Sequence, residues 1–108
     1  MAMDKVFKAL ADSGRRKLLD SLRRKNGQTS NELCEHLEMS RQAVSKHLMI
    51  LENANLVVTR WQGREKLHYL NPIPIQEISE RWIQKFEEQR LEVLTQLKKI
   101  LEEKEKEK

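Results

Sequence analysis

The chain has 108 residues, 38% hydrophobic and 35% charged, with a mean hydropathy of −0.77. That is one domain's worth of soluble, helix-rich protein, too short for the usual two-domain enzymes and poor in the apolar residues a buried catalytic cleft requires. The net charge of +4 is unevenly placed, since residues 1–70 hold 13 basic and 8 acidic side chains and residues 71–108 hold 8 and 9, which predicts a polyanion-binding part joined to a neutral part with another task.

Helical spacing of Met3, Val6, Phe7 and Leu10 opens the chain, and Asp12-Ser13-Gly14 breaks it and can cap a second helix carrying Leu18, Leu19 and Leu22. That helix ends at Asn26-Gly27. Thr29 or Ser30, with Glu32 in the first turn, predicts the start of a short third helix whose one face holds Leu33, Cys34 and Leu37. Met39-Ser40 then bends the chain, Ser40 caps a fourth helix, and Val44, Leu48 and Leu51 form its stripe as far as Asn53. From Leu56 the period becomes two: Leu56 to Trp61, a turn at Gln62 to Glu65, and Leu67 and Tyr69 alternating with Lys66 and His68 predict a β-hairpin with a basic tip. Pro74 starts a final helix with apolar positions at Ile78, Trp82, Ile83, Phe86, Leu91, Leu94, Leu97 and Leu101, and Glu102 to Lys108 reads as a fraying solvated end.

Two short helices joined by a tight bend and followed directly by a hairpin form a winged helix-turn-helix. The expected fold is mainly α with a small β-hairpin, residues 1–72 forming the DNA-binding domain with an N-terminal dimer helix and residues 73–108 a long C-terminal dimerisation helix and charged tail. The fourth helix suits the major groove because Val44, Leu48 and Leu51 turn inward and leave Arg41, Gln42, Ser45, Lys46 and Met49 outward. Arg pairs bidentately with guanine and Gln with adenine, Ser donates or accepts, and Lys holds a phosphate or a guanine. Ser40, Arg41, Gln42, Ser45 and Lys46, with Arg60, Arg64 and Lys66 of the wing, are therefore the expected contacts to double-stranded DNA. The apolar surplus of Ile78, Trp82, Ile83, Phe86, Leu91, Leu94 and Leu97, with Val6, Phe7 and Leu10 of the first helix, predicts a homodimer.

The stretches Phe7 to Asp12, Arg15-Arg16, Leu18-Leu19, Glu32-Leu33, Ser40 to Leu48, Leu56-Val57, Gly63-Arg64 and Tyr69-Leu70 together resemble the ArsR/SmtB family of bacterial transcriptional repressors. Arg81-Trp82-Ile83 with Phe86 and Arg90-Leu91 is similar to the C-terminal helix of a branch without an evident metal site. The resemblance implies a homodimer, paired through its first and last helices, that binds an operator and represses transcription. Asp12-Ser13-Gly14-Arg15 departs from the family's Pro-Thr between Asp and Arg, which loosens that helix entry. The Cys-x-Cys of arsenic- and cadmium-sensing members falls on Thr29 and Asn31, and the last helix lacks the histidines of a zinc-sensing site.

Other residues have plain roles. Cys34 reads as a small buried hydrophobe rather than a reactive thiol, His36 as a surface residue, and His47, at the edge of the buried stripe, as packed or bonded to backbone rather than to DNA. Trp82 and Phe86 read as dimer core rather than a ligand pocket. The scattered Gly14, Gly27 and Gly63 make no phosphate-cradling loop, no stretch approaches the ~18 apolar residues of a membrane span, and the N-terminus has no signal-type run, so a cytoplasmic protein without cofactor or metal is expected. No catalytic constellation is present. The competing functions are a metal- or thiol-responsive sensor of the same fold using Cys34, and a protein-binding winged helix. The first lacks ligands, and the second has no need of the basic helix face and wing.

Overall fold

The computed structural model describes residues 3–83, 87 and 89–106. Its elements run α1 (Met3–Leu10), α2 (Ser13–Arg24), α3 (Ser30–Leu37), α4 (Arg41–Asn53), β1 (Val57–Gln62), β2 (Glu65–Leu70), α5 (Ile73–Ile78), a π-helical turn (Ser79–Ile83) and α6 (Arg90–Lys106). The chain divides into two compact units, Met1–Pro74 and Ile75–Lys108.

In the first unit α1 to α4 pack around one core and the antiparallel β1-β2 hairpin closes its side. Leu18, Leu22, Leu33, Val44, Leu51 and Leu56 are completely buried, and each such side chain contributes about 1.5–3 kcal/mol of transfer free energy. Val6, which the apolar-surplus argument sends to a subunit interface, is 4% exposed and already satisfied within this core. Phe7 stays exposed and Leu10 is half-buried. Cys34 is only half-buried, because its position lies at the rim of the α3 face centred on Leu33.

Helix ends follow local chemistry. Asp12 accepts from the Arg15 N–H at 3.0 Å to start α2, and the free carbonyls that end α1 are taken by the next helix: Arg15 Nε donates to Ala9 O at 2.7 Å and Arg16 to Leu10 O at 2.7 Å. Thr29, not Ser30, caps α3 in a full capping box with Glu32. α4 ends in a Schellman turn, with Asn55 left-handed at φ 60°, Leu56 N donating to Leu51 O at 2.9 Å and Asn55 N to Glu52 O at 3.0 Å. The accompanying apolar contact positions, Leu51 and Leu56, are both fully buried, so the chain enters β1 already fixed to the core.

Beyond β2 the single helix expected from Pro74 is instead interrupted. The helix begins one residue earlier, at Ile73, turns π-helical over Ser79–Ile83, and reaches α6 through a turn at Gln89. The apolar spacing accounts for the break: between positions 86 and 91 the repeat jumps by five residues, which on a continuous α-helix rotates the stripe by roughly 140°. Phe86 itself lies outside the described residues. α6 continues through Lys106, so the charged stretch from Glu102 is helical as far as that residue, with every side chain exposed. No helix among the described residues is long and apolar enough to cross a membrane.

Candidate nucleic-acid interface

Helix α3 ends at Glu38, held left-handed at φ 52° while Met39 N donates to Cys34 O at 3.3 Å. Ser40 then opens α4, its hydroxyl oxygen accepting from Ala43 N at 3.1 Å. The cap uses one lone pair, and the hydroxyl proton remains to donate outward. With Val44, Leu48 and Leu51 buried, Arg41, Gln42, Ser45 and Lys46 are all exposed along one side of the first two turns. Among the described residues neither Arg41 nor Lys46 has an ion-pair partner. Two cations and two hydrogen-bonding side chains thus flank the positive end of a helix, an arrangement fitted to base edges and phosphates.

The hairpin pairs Val57 with Leu70 through Gln62 with Glu65, closed by a two-residue Gly63-Arg64 turn in which Gly63 takes φ 62°, the positive value that a tight hairpin needs at its first turn position. Arg60, Arg64 and Lys66 are exposed on this wing. Lys66 differs from the other two because its Nζ lies 3.7 Å from Glu52 Oε1, tying the wing to the last turn of α4.

The wing's base is held by residues to which the alternation assigned no such role. His68, expected on the polar face beside Lys66, is only 4% exposed. It pairs with Gln28 in an antiparallel bridge that lays the α2–α3 linker against β2. Gln28 is wholly buried: its amide nitrogen donates to Ser21 O, Ser21 Oγ and Lys25 O at 3.1, 3.1 and 2.8 Å, and its amide oxygen lies 2.8 Å from His36 Nδ1. His36 is exposed, as expected, yet belongs to this network. Asn26 Oδ1 accepts from Leu70 N at 2.8 Å, and Gly27, at φ 80°, lies so close to Tyr69 that an added Cβ would meet its hydroxyl at 3.2 Å. No periodic signal marks Gln28, since a lone polar residue between a glycine and a helix cap reads as loop.

His47 is half-buried on α4 and packs at the start of α2, where a Cβ on Gly14 would lie 2.9 Å from its Nε2. Its Nδ1 is buried without a hydrogen-bond partner and lies 3.9 Å from Asp12 Oδ2, so packing and a long ionic contact with Asp12, and no backbone bond among the described residues, hold it. The Arg15 backbone N–H, with the charges of Arg15 and His47, holds the Asp12 carboxyl below its ordinary value, and the Thr29 N–H with Lys25 does the same for Glu32. Among the described residues no group of His, Cys, Asp or Glu converges in a way that could hold a metal ion.

A family model described as bacterial regulatory protein, arsR family, matches residues 12–59, from the cap of α2 into β1. The uncharacterized HTH-type transcriptional regulator YuzN of Bacillus subtilis (strain 168) is 38% identical over 87 residues, covering 75% of this chain and 95% of that protein. The chain belongs to the ArsR family. The transcriptional repressor SdpR of the same organism is 36% identical over 85 residues, covering 78% of this chain and 91% of its own. An ArsR-like transcriptional regulator from Rhodococcus sp. RHA1 superposes with a TM-score of 0.70 at 31% identity, over 89% of this chain and 92% of that one. This ArsR-family chain is accordingly a transcriptional regulator with a winged helix-turn-helix DNA-binding domain, and the segment that carries the family match is the one that builds α2, α3 and α4 and leads into the wing.

Proposed function

We propose that the protein is a homodimeric, sequence-specific repressor that binds a palindromic operator in the cytoplasm, with residues 1–72 reading DNA and residues 73–108 carrying most of the subunit pairing. The observation that carries this reading is the face of α4: Arg41, Gln42, Ser45 and Lys46 are exposed beside a Ser40 cap while the opposite stripe is buried. Arg41 and Gln42, in the first turn, reach base edges, and Ser40, Ser45 and Lys46 fix the helix on the backbone. Arg60, Arg64 and Lys66 hold the flanking phosphates or minor groove.

Pairing is supported by the second unit's own surface. Ile83, Leu91, Leu94 and Leu97 are 58%, 82%, 52% and 51% exposed, more contiguous apolar side chain than a helix of a lone protomer keeps in water. Ile78 and Trp82, half-buried and exposed, extend the patch, and Phe7 adds an exposed aromatic on α1. A two-fold dimer places two α4 helices on two half-sites, which is why the operator is expected to be palindromic. Repression is supported by the relative SdpR, which is named a repressor.

Selection of bound sites from random duplex DNA tests the whole reading. Two inverted half-sites are expected. An asymmetric single site would remove the dimer, and no enrichment would remove sequence-specific binding. Sedimentation at micromolar protein should give a dimer, and Leu94→Glu with Leu97→Glu should give monomers that bind the selected operator at least tenfold more weakly.

A further inference from the structure

Where α3, α4 and the wing meet, Ser30, Ser45, Leu48, Glu52, Lys66 and His68 line an open cleft of about 240 Å³. Lys66 and His68 stand two residues apart on β2 and so share a face of the hairpin, the face from which Lys66 Nζ reaches to 3.7 Å from Glu52 Oε1 on α4. Leu48 is buried and floors the cleft. His68 is 4% exposed, and its Nδ1 lies 2.9 Å from the Gln28 carbonyl oxygen, so Nδ1 carries the proton and Nε2 is left with a lone pair. That nitrogen makes no hydrogen bond among the described residues, and neither does the hydroxyl of Ser30 or Ser45. Anchoring the ring through Nδ1 turns Nε2 away from the linker and leaves it for the cleft.

The lining therefore offers two acceptors, His68 Nε2 and the Glu52 carboxylate, and three donors, the Lys66 ammonium and the two serine hydroxyls, with charges that cancel. A phosphodiester only accepts, and would face Nε2 and Glu52 with no proton between them. A metal ion would find His68 and Glu52 with a lysine ammonium beside them, and among the described residues no third His, Cys, Asp or Glu converges there. We infer that the cleft binds a small zwitterion, the chemistry of a free amino acid with a short side chain. Its ammonium donates to Glu52 and His68 Nε2, and its carboxylate accepts from Lys66, Ser30 and Ser45. Entry exchanges one loose, partly exposed ion pair for two charge-matched contacts. The consequence rests on the DNA-binding reading above: Ser45 and Lys66 belong to the DNA face as well, so the zwitterion and the duplex compete.

The probes are glycine, alanine, serine and threonine at millimolar concentration, with sodium phosphate and glycerol as controls at matched ionic strength, added to the full chain carrying ¹⁵N-labelled histidine. At least one of the amino acids should shift the His68 Nε2 resonance saturably, as a donor arrives at its lone pair, and should displace a duplex of scrambled sequence; neither control should. Glu52→Gln removes the charge that receives the ammonium and frees Lys66, so this variant should bind the duplex at least as tightly as wild type and require about tenfold more amino acid to release it. No shift of His68 by any of the amino acids, in a chain that binds duplex, overturns the inference and leaves the DNA-binding reading intact. Equal shifts from phosphate or glycerol overturn it too, as does an amino acid that fills the cleft while duplex affinity stays unchanged. A chain that binds no duplex while an amino acid still shifts His68 keeps the site and overturns the DNA-binding reading together with the competition.

Discussion

The carbonyl oxygen of Gln28 accepts two bonds from His68, one from its backbone N–H at 2.8 Å and one from its ring Nδ1 at 2.9 Å. A carbonyl has only lone pairs to offer, so Nδ1 carries the proton and the ring's tautomer is set by the linker between α2 and α3. With the Gln28 side chain spending its donors on Ser21 and Lys25, one buried residue joins α2, the linker and β2. The wing is therefore held to the head by a polar knot as well as by apolar packing.

Gln28→Leu should cost about 2–4 kcal/mol, because Ser21 O, Lys25 O and His36 lose a partner together and the leucine supplies none. Urea unfolding measures the loss, and amide exchange at His68 should quicken as the bridge weakens. A change within about 0.5 kcal/mol would show that water replaces the side chain without penalty.

Gly14 and His47 should be coupled. A methyl at Gly14 would stand 2.9 Å from His47 Nε2 and 3.0 Å from Asp12 Oδ2, so Gly14→Ala is expected to destabilise by about 1 kcal/mol despite alanine's better helix propensity. With His47→Ala beneath it only the contact to Asp12 Oδ2 at 3.0 Å remains, and the same substitution should cost measurably less. The double-mutant cycle reads this coupling directly, and additive effects would place the two residues out of contact.

Glu32 has a folded pKa lowered from its ordinary value of 4.5, chiefly by the Thr29 N–H and then by Lys25. A lowered carboxyl contributes stability that is present above the unfolded value and lost as pH falls through the folded one. Glu32→Gln keeps an acceptor for the capping box and removes only the charge, so its deficit relative to wild type should be full near neutrality and shrink as the solution is acidified below pH 4.5. Paired unfolding curves at several pH values check the direction, and a deficit that grew in acid would contradict it.

DNA binding should distinguish three basic positions. Arg41→Ala is expected to cost about 1–3 kcal/mol on the selected operator and to relax preference at particular base pairs, while Arg64→Ala should weaken operator and scrambled duplex alike and flatten the salt slope by roughly one unit per subunit. Lys66→Ala should flatten the slope less than Arg64→Ala, because Lys66 must first leave Glu52 at 3.7 Å before it releases a counterion from DNA. Equal slopes for the two wing variants would mean that the ion pair is open in solution. A change of base preference in Arg64→Ala, with none in Arg41→Ala, would exchange the roles of wing and helix.

Much of the candidate interface was legible because its determinants are local. Asp12, Thr29 and Ser40 each accept from a backbone N–H three residues on, and the stripe of Val44, Leu48 and Leu51 fixes which side of α4 stays in water. Such contacts are encoded within a turn or two of chain. Where periodicity misled, the partner lay elsewhere: Val6 follows a helical spacing that an intersubunit face and an intramolecular core share equally, and only packing against α2 and α4 decides between them.

The sequence by itself determined the order of elements from α1 to β2, the caps of α2 and α4, the tight hairpin turn at Gly63-Arg64 and the exposed basic face of α4, since each depends on propensities and bonds between near neighbours. The tertiary structure alone decided that Gln28 and His68, 40 residues apart, would be buried together, that Lys66 would pair with Glu52, and that His47 would come to rest on Gly14. The physical reason is that a polar side chain can be buried only where distant backbone donors and acceptors converge on it. That convergence is a property of the packed chain, and no window of neighbouring residues contains it.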